Sequence, residues 1–257
     1  MGIGNMNEDR IWTAALVIIG NEVLSGRTQD ENLAYLGRWL NQQGIRLRYA
    51  CVVPDETEAI AAAVNDCRAR HDYVFTTGGI GPTHDDITIA AIAHALGVPL
   101  VVHPYVESAL REHFGDSLTE AQLRLAQLPA GAEVTPSADK RTGGIRIGNI
   151  IVLAGIPALA RNMLTVFDGK LPGGRKLLSR TIGADVAENT VADLLRAVQD
   201  AHPDCQIASY PLWRDTEIGA NFVLRATDPE KLEACATDLA NALRKAGVTP
   251  IDGELAR

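Results

Sequence analysis

The run Thr76-Thr77-Gly78-Gly79-Ile80-Gly81-Pro82-Thr83-His84-Asp85-Asp86 places three glycines and two adjacent carboxylates directly behind a short apolar stretch. Glycine lets a backbone approach an anion closely and turn its amides toward it. Gly78, Gly79 and Gly81 can therefore line a phosphate cradle, flanked by Thr77, Pro82 and Thr83. Without a ligand the same glycines make a tight strand-to-helix turn, and the residues alone leave both readings open. The run is not a Walker loop, because no Gly-Lys-Ser/Thr follows, and its spacing is not that of the dinucleotide fingerprint. A second polar loop, Gly20-Asn21-Glu22-Val23-Leu24-Ser25-Gly26, carries a Ser25 hydroxyl able to donate to a phosphate, with Gly26 beside it. No G-x-S-x-G elbow surrounds Ser25, which speaks against a nucleophilic serine.

Asp85 and Asp86 follow the glycines at once, and Asp55 follows the end of the preceding apolar strand. Carboxylates gathered around a phosphate repel it unless a divalent cation lies between them, and magnesium-type ions are commonly held in this way together with waters. Asp86 and Asp85, with Glu22 of the first loop, are candidate ligands for such an ion: Mg, Mn or Co. Helix capping competes with this reading. Asp55 and Glu58 have the spacing of a capping box, and an acid at either helix start is favoured by the dipole alone. His84 reads as an exposed loop residue ahead of a ligand or an acid.

The elements that must position these groups alternate. Residues 14–19 form a continuous apolar run, the pattern of a strand buried on both faces. Leu33, Leu36 and Leu40 at helical spacing predict a helix over 28–42, stopped by Gly44. Strands follow at 45–53 and 73–77, separated by an alanine-rich helix that starts at 54–55. The next helix spans about 86–96 and ends at Gly97. This order predicts an α/β domain, a parallel sheet between two helical layers, with ligands at the carboxyl ends of its strands. Beyond it come residues 98–102, helical stretches at 105–114 and 119–127, and short strands at 132–135, 144–147 and 150–154. A Gly148-Asn149 turn joins the last two, and a helix at 157–167 closes the domain. Residues 168–175 (DGKLPGGR) have linker composition. The remainder reads strand 177–182, helix 186–201, strands 206–210 and 218–226, helix 229–246 and strand 248–251, a ferredoxin-like order. The expected organisation is a polar tail at 1–12, an α/β domain at 13–170 and a small α+β domain at 176–257.

At 257 residues and 46% hydrophobic, the chain can build a core in each domain. A net charge of −8 and a pI near 5.3 provide no basic face, so no nucleic-acid partner is expected. The start is polar and acidic, and no apolar run approaches the roughly 18 residues of a membrane span, so a cytoplasmic protein without a membrane partner is expected. Cys51, Cys67, Cys205 and Cys235 form no C-x-x-C pair, which points to free thiols. Apolar α/β domains often self-associate, so a homo-oligomer is one expectation.

Taken together, the two loops, Thr28-Gln29-Asp30, Val53-Pro54-Asp55-Glu56, the run from Thr77 to Thr88, Gly155-Ile156-Pro157 and Ser209-Tyr210-Pro211 resemble the molybdopterin-binding-like family. That family includes the MoaB/Mog proteins, the N-terminal part of the CinA competence/damage-inducible proteins and the N-terminal domain of eukaryotic FAD synthases. The second half is similar to the KH-like middle domain of CinA proteins, but it has no basic G-x-x-G loop. The resemblance implies a MoaB/Mog-like domain followed by a KH-like one. It also implies that Asp55 and Asp86, which fall in the motifs holding the functional acids of Mog proteins, are catalytic. For the CinA and FAD synthase relatives it implies metal-dependent cleavage of a dinucleotide pyrophosphate such as ADP-ribose or FAD. Two alternatives stand beside this: molybdopterin binding or adenylyl transfer in molybdenum-cofactor synthesis, and a non-catalytic nucleotide-binding module. Asn21 stands where many relatives have Asp, one metal-facing carboxylate fewer. The sequence carries neither the nicotinamide-mononucleotide deamidase domain of full CinA proteins nor the FAD-forming domain of the synthases, so neither activity is expected of it.

Overall fold

Strand β1 (Trp12–Ile19) is apolar on both sides because both sides are covered. Ala14, Leu16 and Ile18 meet Leu36 and Leu40 of α2 (Asn32–Gln42) and Met163 of α7 (Pro157–Thr165). Ala15, Val17 and Ile19 meet Ile60 and Val64 of α3 (Thr57–Arg70) and Ile92 of α4 (Thr88–Leu96). The result is a three-layer unit around a six-stranded sheet of order β2-β1-β3-β8-β7-β6. Its strands β2 (Ile45–Val53), β3 (Tyr73–Thr77) and β8 (Ile150–Leu153) run parallel to β1. β7 (Gly143–Ile147) runs antiparallel to β8, because the two-residue turn at Gly148-Asn149 can join only antiparallel neighbours, and β6 (Glu133–Pro136) pairs antiparallel with β7. The sheet is therefore mostly, not wholly, parallel.

This computed structural model describes residues 10–138, 143–214 and 217–255, in two units, 1–175 and 176–257. The first nine residues of the expected polar tail lie outside the described residues. Several boundaries differ from those expected. Residues 21–24 form a separate turn, α1 (Asn21–Leu24), and α2 starts only at Asn32, where the Asp30 carboxylate accepts the Leu33 amide at 2.8 Å. Between α4 and β6 the chain makes an excursion: β4 (Leu100–Val102), α5 (Pro104–Phe114), α6 (Glu120–Leu123) and β5 (Gln127–Pro129), with β4 and β5 paired antiparallel. The helix expected over 119–127 is reduced to α6, capped by a Thr119/Gln122 box, because β5 must turn back to pair with β4. Residues 168–175 do not hang free as a linker. Asp168 accepts the Trp39 indole N–H at 2.7 Å, the Pro172 carbonyl accepts the Tyr73 hydroxyl at 3.0 Å, and the Gly174 amide donates to the Gly44 carbonyl at 3.0 Å.

The second unit is a four-stranded antiparallel sheet of order β10-β11-β9-β12, formed by β9 (Leu178–Ala184), β10 (Gln206–Arg214), β11 (Glu217–Ala226) and β12 (Ile251–Asp252). Helices α8 (Ala192–Ala201) and α9 (Pro229–Lys245) complete it, with Phe222, Leu224, Cys235 and Leu239 in its core. Asp228 caps α9 by accepting the Glu230 amide at 2.8 Å. The helix expected from 186 is split, a 3₁₀ turn at Glu188–Thr190 preceding α8.

The four cysteines are free thiols. Cys67 faces Cys51 inside the first unit, and Cys235 faces Cys205 inside the second. Burial, reinforced by these neighbours, pushes Cys67 up to about 11 and Cys235 up to about 12. Thiolates are the reactive form, so the native protein at neutral pH is expected to leave both unmodified by iodoacetamide and to alkylate all four thiols only when denatured. Intact-protein mass spectrometry reads the result.

Candidate functional site

The sheet's strand order reverses between β1 and β3. β1 leads through α2 to β2 on one side, whereas β3 leads through α4 and the excursion toward β8 on the other. The carboxyl ends of such neighbours leave a crevice in which ligands collect. Three loops meet there: residues 20–28 after β1, 78–87 after β3 and 155–157 after β8. A cleft of about 2000 Å³ opens from them.

Gly78 sits at the closest point. Its φ is 101°, and a Cβ there would overlap the Ile19 carbonyl oxygen, so only glycine lets β3 leave the sheet past the end of β1. Its amide donates to the Leu153 carbonyl at 3.3 Å and is not available to a ligand. Of the expected Gly78, Gly79 and Gly81, Gly78 thereby has no amide to offer. Among the described residues, the amides of Gly79, Ile80 and Gly81 donate to no other group. Gly79 keeps a left-handed φ of 62° under two restraints from buried Thr88. The Thr88 hydroxyl donates to the Gly78 carbonyl at 2.8 Å, and its amide donates to the Gly79 carbonyl at 3.0 Å.

The acids divide between two tasks. Asp86 lines the cleft, and its Oδ2 accepts both the Thr83 hydroxyl and the Thr83 amide, the latter at 2.8 Å, closing residues 83–86 into a tight turn. Glu22 lines the cleft from the β1 side. Asp55 does not line it and does not cap α3, whose N-cap is Glu56 without a side-chain bond. Its Oδ2 instead accepts the Asn21 amide at 2.8 Å, anchoring the first turn of α1 from β2. Asp85 is exposed and turned aside from the cleft. The Thr83 hydroxyl, then its own amide, hold its carboxyl below the ordinary range, with a smaller contribution from His84.

Other expected residues are placed as follows. Pro82 and Thr83 line the cleft. Ser25 and Gly26 lie outside its wall, and the Ser25 hydroxyl donates to the Glu22 carbonyl at 3.3 Å, closing its own helical turn. Thr77 is buried in β3, with its hydroxyl unpartnered among the described residues. Two positioning groups had no local signal. Thr88 looks like an ordinary helix residue in sequence. Asn32 donates its Nδ2 to the Gly155 carbonyl at 2.8 Å from a buried position, tying α2 to the exit of β8.

Among the described residues no three His, Cys, Asp or Glu side chains gather into a metal-binding group, so Asp85, Asp86 and Glu22 do not converge as the expected set. Asp85 leaves it because it lies off the cleft wall, exposed, with its carboxylate 4.0 Å from His84. Glu22 and Asp86 remain on the cleft wall.

Fold and site together define an α/β ligand-binding domain with its cleft at the topological switch point, followed by a small antiparallel-sheet domain. Residues 15–171 match the family model described as "Probable molybdopterin binding domain", and residues 176–252 match "FAD synthase, middle domain". The chain belongs to the molybdopterin-binding-domain family, of the CinA type. It is 34% identical over 213 residues to a Pyrobaculum calidifontis protein, covering 77% of this chain and 80% of that one. It is 27% identical over 260 residues to a "Probable FAD synthase" of Caenorhabditis elegans, covering 90% of this chain and 50% of that protein, so it spans half of that relative's length. The crystal structure of the Thermoplasma acidophilum protein CinA, of unknown function, superposes with a TM-score of 0.58 at 27% identity, covering 62% of this chain and 98% of that one. No described helix is long and apolar enough to cross a membrane.

Gly78→Ala adds a Cβ where the Ile19 carbonyl stands and forces a left-handed φ on alanine. The expected loss of unfolding free energy is about 3 kcal/mol or more, read from urea denaturation. An unchanged midpoint would contradict the geometry.

Proposed function

We propose that the first unit is a metal-dependent nucleotide pyrophosphatase that hydrolyses a dinucleotide such as ADP-ribose or FAD. The observation that carries this reading is the pairing, on one cleft, of the unoccupied amides of Gly79, Ile80 and Gly81 with the carboxylates of Glu22 and Asp86. Amides facing an anion at a strand exit bind phosphate without a side-chain charge. The cleft is larger than the roughly 300–1,000 Å³ of ordinary small-molecule pockets, which suits a ligand with two nucleoside-like halves. The name of the Caenorhabditis elegans relative supports FAD among the candidates.

In the proposed reaction, water adds to one phosphorus and the bridging P–O bond breaks, leaving two monophosphates; ADP-ribose yields AMP and ribose 5-phosphate. The amides of residues 79–81 hold one phosphate and fix its orientation. Asp86, its carboxylate already aligned by Thr83, and Glu22 would hold Mg, Mn or Co. Such an ion supplies neutralisation of the diphosphate oxygens and a lowered pKa for bound water. Asp55 acts from behind, holding the Asn21 amide and through it the turn that carries Glu22. We take its setting to be a reducing compartment such as the cytoplasm, a reading that four free thiols support.

A second reading, molybdopterin as the ligand of the same cleft, is favoured by the description of the family model. Mass spectrometry of ADP-ribose and FAD incubated with each metal separates the two. Asp86→Asn keeps an oxygen acceptor for the Thr83 amide while removing the charge. It is expected to fold normally and to lose turnover by at least about a hundredfold. Full metal-dependent turnover in that variant would sink the assignment, and molybdopterin binding without dinucleotide cleavage would favour the second reading.

A further inference from the structure

In a chain of net charge −8, the edge of the sheet away from the cleft gathers positive charge that the proposed reaction does not use. Strand β2 is an edge strand, and its pairing with β1 slips by one residue between Ala14 and Ala15, leaving Arg48 without a partner in β1. A bulge of this kind re-aims the side chains beside it. The register sets Arg46 opposite Thr13 and Tyr49 opposite Ala15, so both lie on the side of the sheet that α3 covers. There the Tyr49 ring stacks on His71, the first residue after α3, with centroids 6.4 Å apart and planes 16° from parallel. The Arg70 guanidinium lies 5.5 Å from the same ring.

These charges are unequally compensated. Arg70 pairs with Asp66, and Arg68 bonds Asn65, local partners on the same helix. Asp72 accepts the Thr13 amide and hydroxyl and pairs with Arg10. Among the described residues, Arg46 and Arg48 make no ion pair and no side-chain hydrogen bond. Arg46 is nevertheless half-buried, and burial, then the neighbouring Arg48, holds its guanidinium below the ordinary arginine value. Burial also lowers the His71 pKa; Arg70 and Arg48 add to this, and Asp72 opposes them. Charges drawn out of water are ordinarily paired, and here the counter-charge is missing.

We propose that the corner between β2 and the end of α3 is a second anion site, separate from residues 79–81, that takes a phosphate group on the guanidinium groups of Arg46 and Arg48. Arginine suits this task because its planar fork matches phosphate oxygens and keeps its charge at any physiological pH. The group recognised is the phosphate itself, free or as a monoester. Charge and a bulge on an edge strand also guard it against pairing with another chain. That purpose needs a charge at the edge, but it gains nothing from two guanidinium groups that repel each other without an acid beside them. The site does not depend on the reading of the cleft.

The test is amide-resolved NMR of the labelled full chain, without metal and at constant ionic strength, titrated with two probes: inorganic phosphate and AMP. Both are expected to shift the amides of residues 46–49 and 71 saturably. Arg46→Gln combined with Arg48→Gln keeps polar side chains on the edge and is expected to weaken that binding at least about tenfold. Arg68→Gln, whose guanidinium is bonded to Asn65, is expected to leave it unchanged, and thermal melting controls for folding. Tighter binding of either probe supports the site and names its source, a monoester or the free ion. Signals at residues 79–81 report the cleft separately, so each site can fail without the other. Residues 46–49 and 71 unmoved by both probes, or moved equally in the double variant, overturn the proposal. Self-association of the double variant, with no such shifts in the wild type, overturns it in favour of edge protection.

Discussion

One steric contact organises the first unit. At the ends of β1 and β3, the Ile19 carbonyl occupies the space that any side chain at residue 78 would need. Because Gly78 has none, β3 can turn past β1 and hand its amide to Leu153 on the far side, while the next three amides donate to no other group among the described residues. The switch-point crevice, the turn at residues 79–81 and the start of α4 all follow from that passage. Thr88 then fixes it from the helix side, bonding both the Gly78 and Gly79 carbonyls. The exit of β3 is thus held on three sides, by β1, by β8 and by α4.

The carboxylates around this point differ in what they can do because they differ in partners. Asp86 and Glu22 look into the cleft, Asp55 looks at a backbone amide across the sheet edge, and Asp85 looks at solvent and His84. With one acid committed to anchoring and another in water, less negative charge gathers at the cleft. Asn21 fits the same pattern: the Asp55 carboxylate holds its amide, and an aspartate there would add a like charge beside that bond.

Much of this was legible before any fold was known. β1 was marked by a continuous apolar run ended by glycine, β2 and β3 by their exits at Pro54-Asp55 and Gly78-Gly79, and the loop at 78–86 by its glycines and acids. What escaped depended on partners distant in sequence. Asp55 resembled a cap for α3 because Glu58 is three residues on; its real partner, Asn21, is 34 residues earlier. Gly78 looked like a ligand residue because nothing local shows that Leu153 takes its amide. Residues 168–175 looked like a linker by composition, although Trp39, Tyr73 and Gly44 hold them to the first unit.

The central claim is that the amides of Gly79, Ile80 and Gly81 receive a ligand's phosphate. Amide-resolved NMR of the labelled protein, titrated with ADP-ribose in the presence of magnesium, tests it most directly. The account predicts large, saturable shifts at residues 79–81 and at Asp86, with Gly78 moving less because its amide is already bonded to Leu153. Saturable binding that leaves residues 79–81 unmoved, or perturbs only the unit beyond residue 175, would contradict it.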